Sequence, residues 1–162
     1  MDIGEIAKVL RTNPLFSKVD PAKLKLIAFA SEMESYDDGE VVFREGDTGD
    51  AAYLIIEGTA AIVVEQASCG EAVIGTLGKD EMVGEMAIFR ASPRAATIRA
   101  QGPLNMLRVE GDVFLDVVTG DADAALGVMR VLSDKIARAT EAYDELVRRH
   151  KKLLADSGLD ED

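Results

Sequence analysis

Apolar residues recur at helical spacing from Ile3 to Leu10 and again from Pro21 to Met33, so two short helices are expected to open the chain. In the second, Leu24, Ile27 and Ala28 are placed inward, with Leu26 as a further candidate. The stretch Ser17-Lys18-Val19-Asp20-Pro21 offers an N-cap followed by proline at the first helical position. From Glu40 the pattern changes to short runs of Val, Ile, Tyr and Phe, punctuated by Gly39, Gly46, Gly49, Gly58, Gly70, Gly75 and Gly78. That alternation reads as strands and hairpins. Further strands fit Arg94 to Ala100 and Asn105 to Val109. About eight such strands close naturally as an antiparallel β-roll or jelly-roll barrel. The fold class expected is mainly β, with an N-terminal helical segment and a long C-terminal helix.

After Gly111 the helical period returns, first in Val113 to Val118 and then from Asp123 to about Leu154. In the last stretch Ala125, Met129, Leu132, Ile136, Ala139, Tyr143, Leu146, His150 and Leu153 alternate by fours and threes, the spacing of a coiled-coil seam. Lys135, Arg138, Glu141, Glu145, Arg148 and Lys152 fall off that seam. A helix of roughly 30 residues, about 45 Å long, overshoots a small barrel unless its stripe is covered. A second copy is the preferred cover, which makes a homodimer through this helix the expected assembly. In the competing arrangement the first half of the stripe packs on the chain's own barrel. The organisation is then an N-terminal helical segment (1–34), a β-roll (35–110), C-terminal hinge and lid or dimerisation helices (111–155) and a disordered acidic tail (156–162).

Composition narrows the partners. With 162 residues and 48% hydrophobic content the chain supports one well-buried core. No run is apolar enough to span a bilayer, and the start, Met1-Asp2-Ile3-Gly4-Glu5-Ile6, carries acidic residues where a secretory signal carries basic ones. No membrane association is expected. A single cysteine, Cys69, excludes an intramolecular disulfide and fits a cytoplasmic location; it falls in an expected hairpin loop as an ordinary exposed residue. Thirty acidic against 18 basic residues give a net charge of −12, which argues against nucleic acid as a partner. A small ligand with one phosphate charge is a different case. One desolvated arginine and a few backbone N–H groups outweigh a remote, salt-screened field.

The chain carries such a combination in Met82-Val83-Gly84-Glu85-Met86-Ala87-Ile88-Phe89-Arg90-Ala91-Ser92-Pro93-Arg94-Ala95-Ala96-Thr97-Ile98. Gly84 permits close backbone approach, Glu85 to Phe89 can form one helical turn, and Pro93 fixes the start of a strand opened by Arg94. Free N–H groups at the start of a helical turn, beside an arginine, favour an anion. Glu85 can accept hydrogen bonds from a nearby sugar hydroxyl. Phosphate plus sugar means nucleotide.

This segment resembles the phosphate-binding cassette of the cyclic nucleotide-binding domain family, of catabolite-activator and protein kinase A regulatory-subunit type. The likeness is carried by Gly84 to Ala87 and Pro93 to Ile98; Val83 stands where the family usually has an aromatic. Upstream, Gly46-Asp47-Thr48-Gly49, Tyr53 to Ile56 and Gly58 resemble the family's glycine-punctuated hairpin. The resemblance covers roughly Leu10 to Leu146 and implies a β-roll with its cassette at 83–97. It implies Arg94 as partner of the exocyclic phosphate oxygens and Glu85 as acceptor for the ribose 2′-hydroxyl. Backbone N–H groups of Glu85, Met86, Ala87 and Ala95 complete the cradle, Gly84 leaves room for the sugar, and Ala96 belongs to the same wall. Members preferring cGMP often place threonine at the position of Ala95, so the ligand expected is cAMP, with cGMP possible. Thr140, Tyr143 and Asp144 are candidates for a lid over the base.

No P-loop, dinucleotide fingerprint or histidine-paired nucleophile is present, and one His with one Cys does not make a zinc site. His150 sits on the seam as a packing residue. The chain is expected to be no enzyme and to need no cofactor beyond its ligand. The function expected is a sensor or regulatory domain that couples nucleotide capture to movement of the C-terminal helices, with an effector protein as a possible partner. The alternative is a catabolite-activator-type transcription regulator lacking its DNA-binding domain.

Overall fold

Helix α1 (Ile3–Thr12) is started by Asp2, whose side chain accepts from the Glu5 N–H while Glu5 answers the Asp2 N–H, a reciprocal capping box. A 3₁₀ turn (Pro14–Phe16) leads to α2 (Pro21–Phe29), capped by Asp20 with Pro21 at the first position, as the sequence indicated. The computed structural model describes residues 1–68 and 70–158. Cys69 and the last residues of the acidic tail, 159–162, lie outside the described residues.

Two expectations for α2 need correction. It stops at Phe29 rather than Met33, and Leu26 is 60% exposed instead of inward. Leu26 follows Leu24 by two positions, about 200° around the helix, so the face set by Leu24, Ile27 and Ala28 turns Leu26 to solvent. The residues that follow form strand β1 (Glu32–Tyr36), an edge strand whose glutamates hide it from an apolar pattern.

The strands continue as β2 (Val41–Phe43), β3 (Ala51–Glu57), β4 (Ala60–Gln66), β5 (Gly70–Leu77) and β6 (Met82–Val83). Helix α3 (Glu85–Arg90) interrupts them before β7 (Thr97–Ala100) and β8 (Leu104–Glu110). All pairings are antiparallel, in one sheet of order β1-β8-β3-β6 and another of order β2-β7-β4-β5. Eight strands in two sheets with flanking helices is the β-roll expected. Two helices close the described chain, α4 (Gly111–Thr119) and α5 (Ala122–Asp156).

Strand β3 explains how one apolar run serves two cores. Successive side chains alternate across a strand. Ala51, Tyr53 and Ile55 therefore join the roll interior with Ile98, Leu104 and Met106, while Ala52 and Leu54 face the helical layer. That layer is centred on Phe114 of α4, whose ring packs at a tilt against Phe16, with centroids 5.0 Å apart, and against Phe89 of α3 at 5.5 Å. The short helix of the cassette is thus packed directly on the C-terminal helical layer.

Helix α5 docks by its first turns. Ala124, Gly127 and Val128 are buried, Ala125 and Leu132 partly so, and beyond Leu132 nearly every residue is exposed. Met129, Ile136, Tyr143, Leu146 and Leu153 of the seam stand in solvent at 60–68% exposure. No helix among the described residues is long and apolar enough to cross a membrane.

Candidate functional site

Two segments distant in sequence, Gly46 to Gly49 and Gly84 to Arg94, lock together to make the site. The Arg94 N–H donates to the Asp47 carbonyl at 2.8 Å, and the Gly46 N–H donates to the Arg94 carbonyl at 2.8 Å. Thr48 bridges Pro93, and Gly49 lies so close to α3 that a Cβ there would stand 2.5 Å from that of Ala87. These backbone ties consume the start of the strand expected from Arg94, so regular β7 begins only at Thr97.

Arg94 is the centre of the arrangement. Its side chain donates to the Gly84 carbonyl at 2.9 Å and to the Ala51 carbonyl at 2.6 Å, and the guanidinium carbon lies 4.1 Å above the Phe43 ring. The residue is only 4% exposed, and burial pulls its pKa below the usual arginine value, an effect opposed by Tyr53 and Asp50. Its Nε is the one buried side-chain polar atom without a hydrogen-bond partner among the described residues. Such an orphan donor on a buried cation is costly unless a further acceptor completes it.

Gly84 makes this burial feasible. It adopts φ +87°, and a Cβ on it would stand 2.5 Å from an Arg94 guanidinium nitrogen. Both the left-handed backbone and the space demand glycine. Helix α3 starts here without a side-chain cap, so its first N–H groups lack intrahelical acceptors.

Around Arg94 lies a concave pocket with about 520 Å³ of empty space, open to solvent. Phe43, Ile62, Val83 and Ile98 make its apolar wall, and Gly84, Met86, Ala87, Arg94, Ala95 and Ala96 bring the expected cassette residues to its other side. Arg90, Ser92 and Arg94 supply the polar side chains of the lining. Glu85 is not part of this lining. It is 3% exposed, and its carboxylate accepts a charge-assisted hydrogen bond from Lys135 of α5. The three lid candidates are also not brought to the pocket. Thr140 bonds back to the Ile136 carbonyl, and Thr140, Tyr143 and Asp144 are exposed on the part of α5 beyond its docked first turns.

Sequence reasoning missed three contributors. Phe43 provides the aromatic surface that Val83 lacks, Ala51 contributes only a backbone oxygen, and Lys135 had been set aside as a charge off the seam. A fourth feature, outside the pocket, is a polar cluster behind it: the Tyr36 hydroxyl donates to Glu34, and Arg108 pairs with Glu110 at 2.9 Å and Asp50 at 3.6 Å. Burial and the bond to Glu34 raise the Tyr36 pKa, and burial raises that of Tyr53.

Comparison with known proteins places the sequence in a family. The sequence profile described as the cyclic nucleotide-binding domain matches residues 33–121. A curated relative, a cAMP-dependent protein kinase regulatory subunit of Mycosarcoma maydis, is 32% identical over 93% of this chain, which covers 28% of that protein. The chain thus spans less than a third of that relative's length. Among solved structures, the regulatory domain of Toxoplasma gondii PKA with cAMP superposes with a TM-score of 0.70 at 22% identity, covering 84% of this chain and 50% of that one. A cyclic nucleotide-binding domain from Methylobacillus flagellatus gives 0.70 at 22% identity over 91% and 83%. With the profile spanning more than half of its residues, the chain belongs to the cyclic nucleotide-binding domain family.

Proposed function

We propose that this chain captures cAMP in the pocket around Arg94 and reports occupancy through α5, without acting chemically on the ligand. The observation that carries the reading is the buried Arg94 guanidinium, held by two carbonyls and left with an unpaired Nε beside an open, largely apolar pocket. A cyclic phosphate supplies the missing acceptor and neutralises the charge. The apolar wall of Phe43, Ile62 and Ile98 accepts the nucleoside. Ala95 offers no hydroxyl to a guanine amino group, and the curated relative is named for cAMP dependence. Among the described residues that line the pocket there is no carboxylate or imidazole to serve as a general base.

The Glu85–Lys135 pair is the coupling element of this proposal. Glu85 is the acceptor for the ribose 2′-hydroxyl, and it reaches that role by loosening its hold on Lys135. Ligand and α5 then compete for one carboxylate, which gives the differential affinity that coupling requires. The exposed seam of α5 pairs with a second copy, so the moving element is also the dimer contact. Sedimentation equilibrium of the chain against Ile136→Asp separates a dimer from a monomer. The relatives' naming as kinase regulatory subunits favours an effector protein over DNA as the receiver of the signal.

Titration by calorimetry with cAMP, cGMP and 5′-AMP tests the reading. Tightest binding of cAMP supports it; no heat with either cyclic nucleotide, from a folded chain, defeats it.

A further inference from the structure

Arg90 has no role in the proposal so far. It ends α3, one turn after Met86 and Ala87, and shares with them the face that lines the pocket. Among the described residues it has no ion-pair or hydrogen-bond partner, and it is exposed at the mouth. Its surroundings make that freedom informative. The chain carries a net charge of −12, and exposed Asp47 and Asp50 act on Arg94, opposed by Arg108, which is itself paired with Asp50. A nucleotide phosphate approaching the mouth meets an opposing field, while Arg94 is only 4% exposed and engages the ligand only after it has shed water.

We propose that Arg90 is the capture residue of this pocket: an exposed guanidinium that draws the anionic nucleotide to the mouth and sets the association rate. Retention falls to Arg94. The inference rests on the reading of the pocket as a nucleotide site and deepens it by dividing two cations between two kinetic steps. Charges at a rim change association and its salt dependence, whereas buried charge partners change dissociation. The two roles therefore separate in one experiment.

Stopped-flow binding of an 8-substituted fluorescent cAMP is measured at 10 mM and 500 mM salt, where the screening length falls from about 30 Å to about 4 Å. For Arg90→Ala the association rate is expected to fall roughly three- to tenfold at low salt and less than twofold at high salt, with dissociation within about twofold of the parent. Arg90→Lys keeps the parent's rate, and Arg90→Glu falls below Arg90→Ala. An unchanged association rate at low salt in Arg90→Ala, or a loss confined to dissociation, overturns the inference while the parent still binds. Absence of binding by the unmodified chain overturns the nucleotide reading itself and this inference with it.

Discussion

Replacing Arg94 by alanine tests the site at its centre, and the structure predicts separate effects on binding and on folding. In the bound state the phosphate loses a charge partner in a largely desolvated cavity. Truncating one member of such a pair costs about 2–5 kcal/mol, which is roughly thirtyfold to several-thousandfold in Kd. In the free protein the carbonyls of Gly84 and Ala51 each lose a donor, at about 1–3 kcal/mol apiece where water cannot replace it. The same substitution removes a buried cation with an unpaired Nε, and that relief offsets part of the loss. Unliganded stability is therefore expected to change by less than the sum of the two carbonyl costs, while affinity collapses. Arg94→Lys is the informative companion. An ammonium keeps the charge but cannot bridge two carbonyls and still present a third, fixed donor to the ligand. It should lose at least about tenfold in affinity for that geometric reason. Calorimetry with cAMP reads the affinities, and urea unfolding of each free variant reads the stabilities. An Arg94→Ala chain that is folded and binds cAMP within threefold of the parent would refute the assignment of the phosphate to this guanidinium.

Glu85→Gln keeps the side chain's shape but weakens its acceptor, so cAMP binding should drop by about 1–3 kcal/mol; 2′-deoxy-cAMP, which lacks the hydroxyl, should bind parent and variant equally in the same titration. Lys135→Ala frees the Glu85 carboxylate and should tighten cAMP binding by about 1 kcal/mol, the upper end for a partly exposed pair; weaker binding would remove the competition between α5 and ribose. Tyr36 stays protonated in the fold above the pH at which an unfolded tyrosine ionises, because burial and the bond to Glu34 raise its pKa. Its contribution is thus complete below about pH 10 and is lost as pH rises through the folded value. Urea unfolding at pH 8 and pH 11 should show a smaller alkaline loss for Tyr36→Phe than for the parent.

What the sequence made legible here follows from how local each determinant is. Gly84 and Arg94 were visible because the residues that mark them fall within one short stretch: a glycine, a short helix, then Pro93 directly before Arg94. Most of the strands, α4 and α5 were visible because alternating and helical periods persist over whole elements. Strand β1 was hidden because this edge strand carries Glu32 and Glu34 on the same face as Tyr36, which breaks the usual apolar alternation. Phe43 sits in a three-residue strand whose place beside Arg94 depends on the β2–β7 register, and nothing adjacent in sequence announces it. Ala51 acts through a carbonyl, so side-chain identity could never have revealed it. Lys135 and the lid candidates differ for a related reason. Which face of α5 meets the cassette is set by the docking of Ala124, Gly127 and Val128, and about two turns farther along, that choice brings Lys135 to Glu85 while leaving Tyr143 in solvent. The ligand-facing chemistry is thus encoded locally in the cassette. The contact of Glu85 with α5 is encoded in tertiary packing, so a substitution at Gly127 that tilts α5 should alter the proposed coupling while leaving the Arg94 cradle intact.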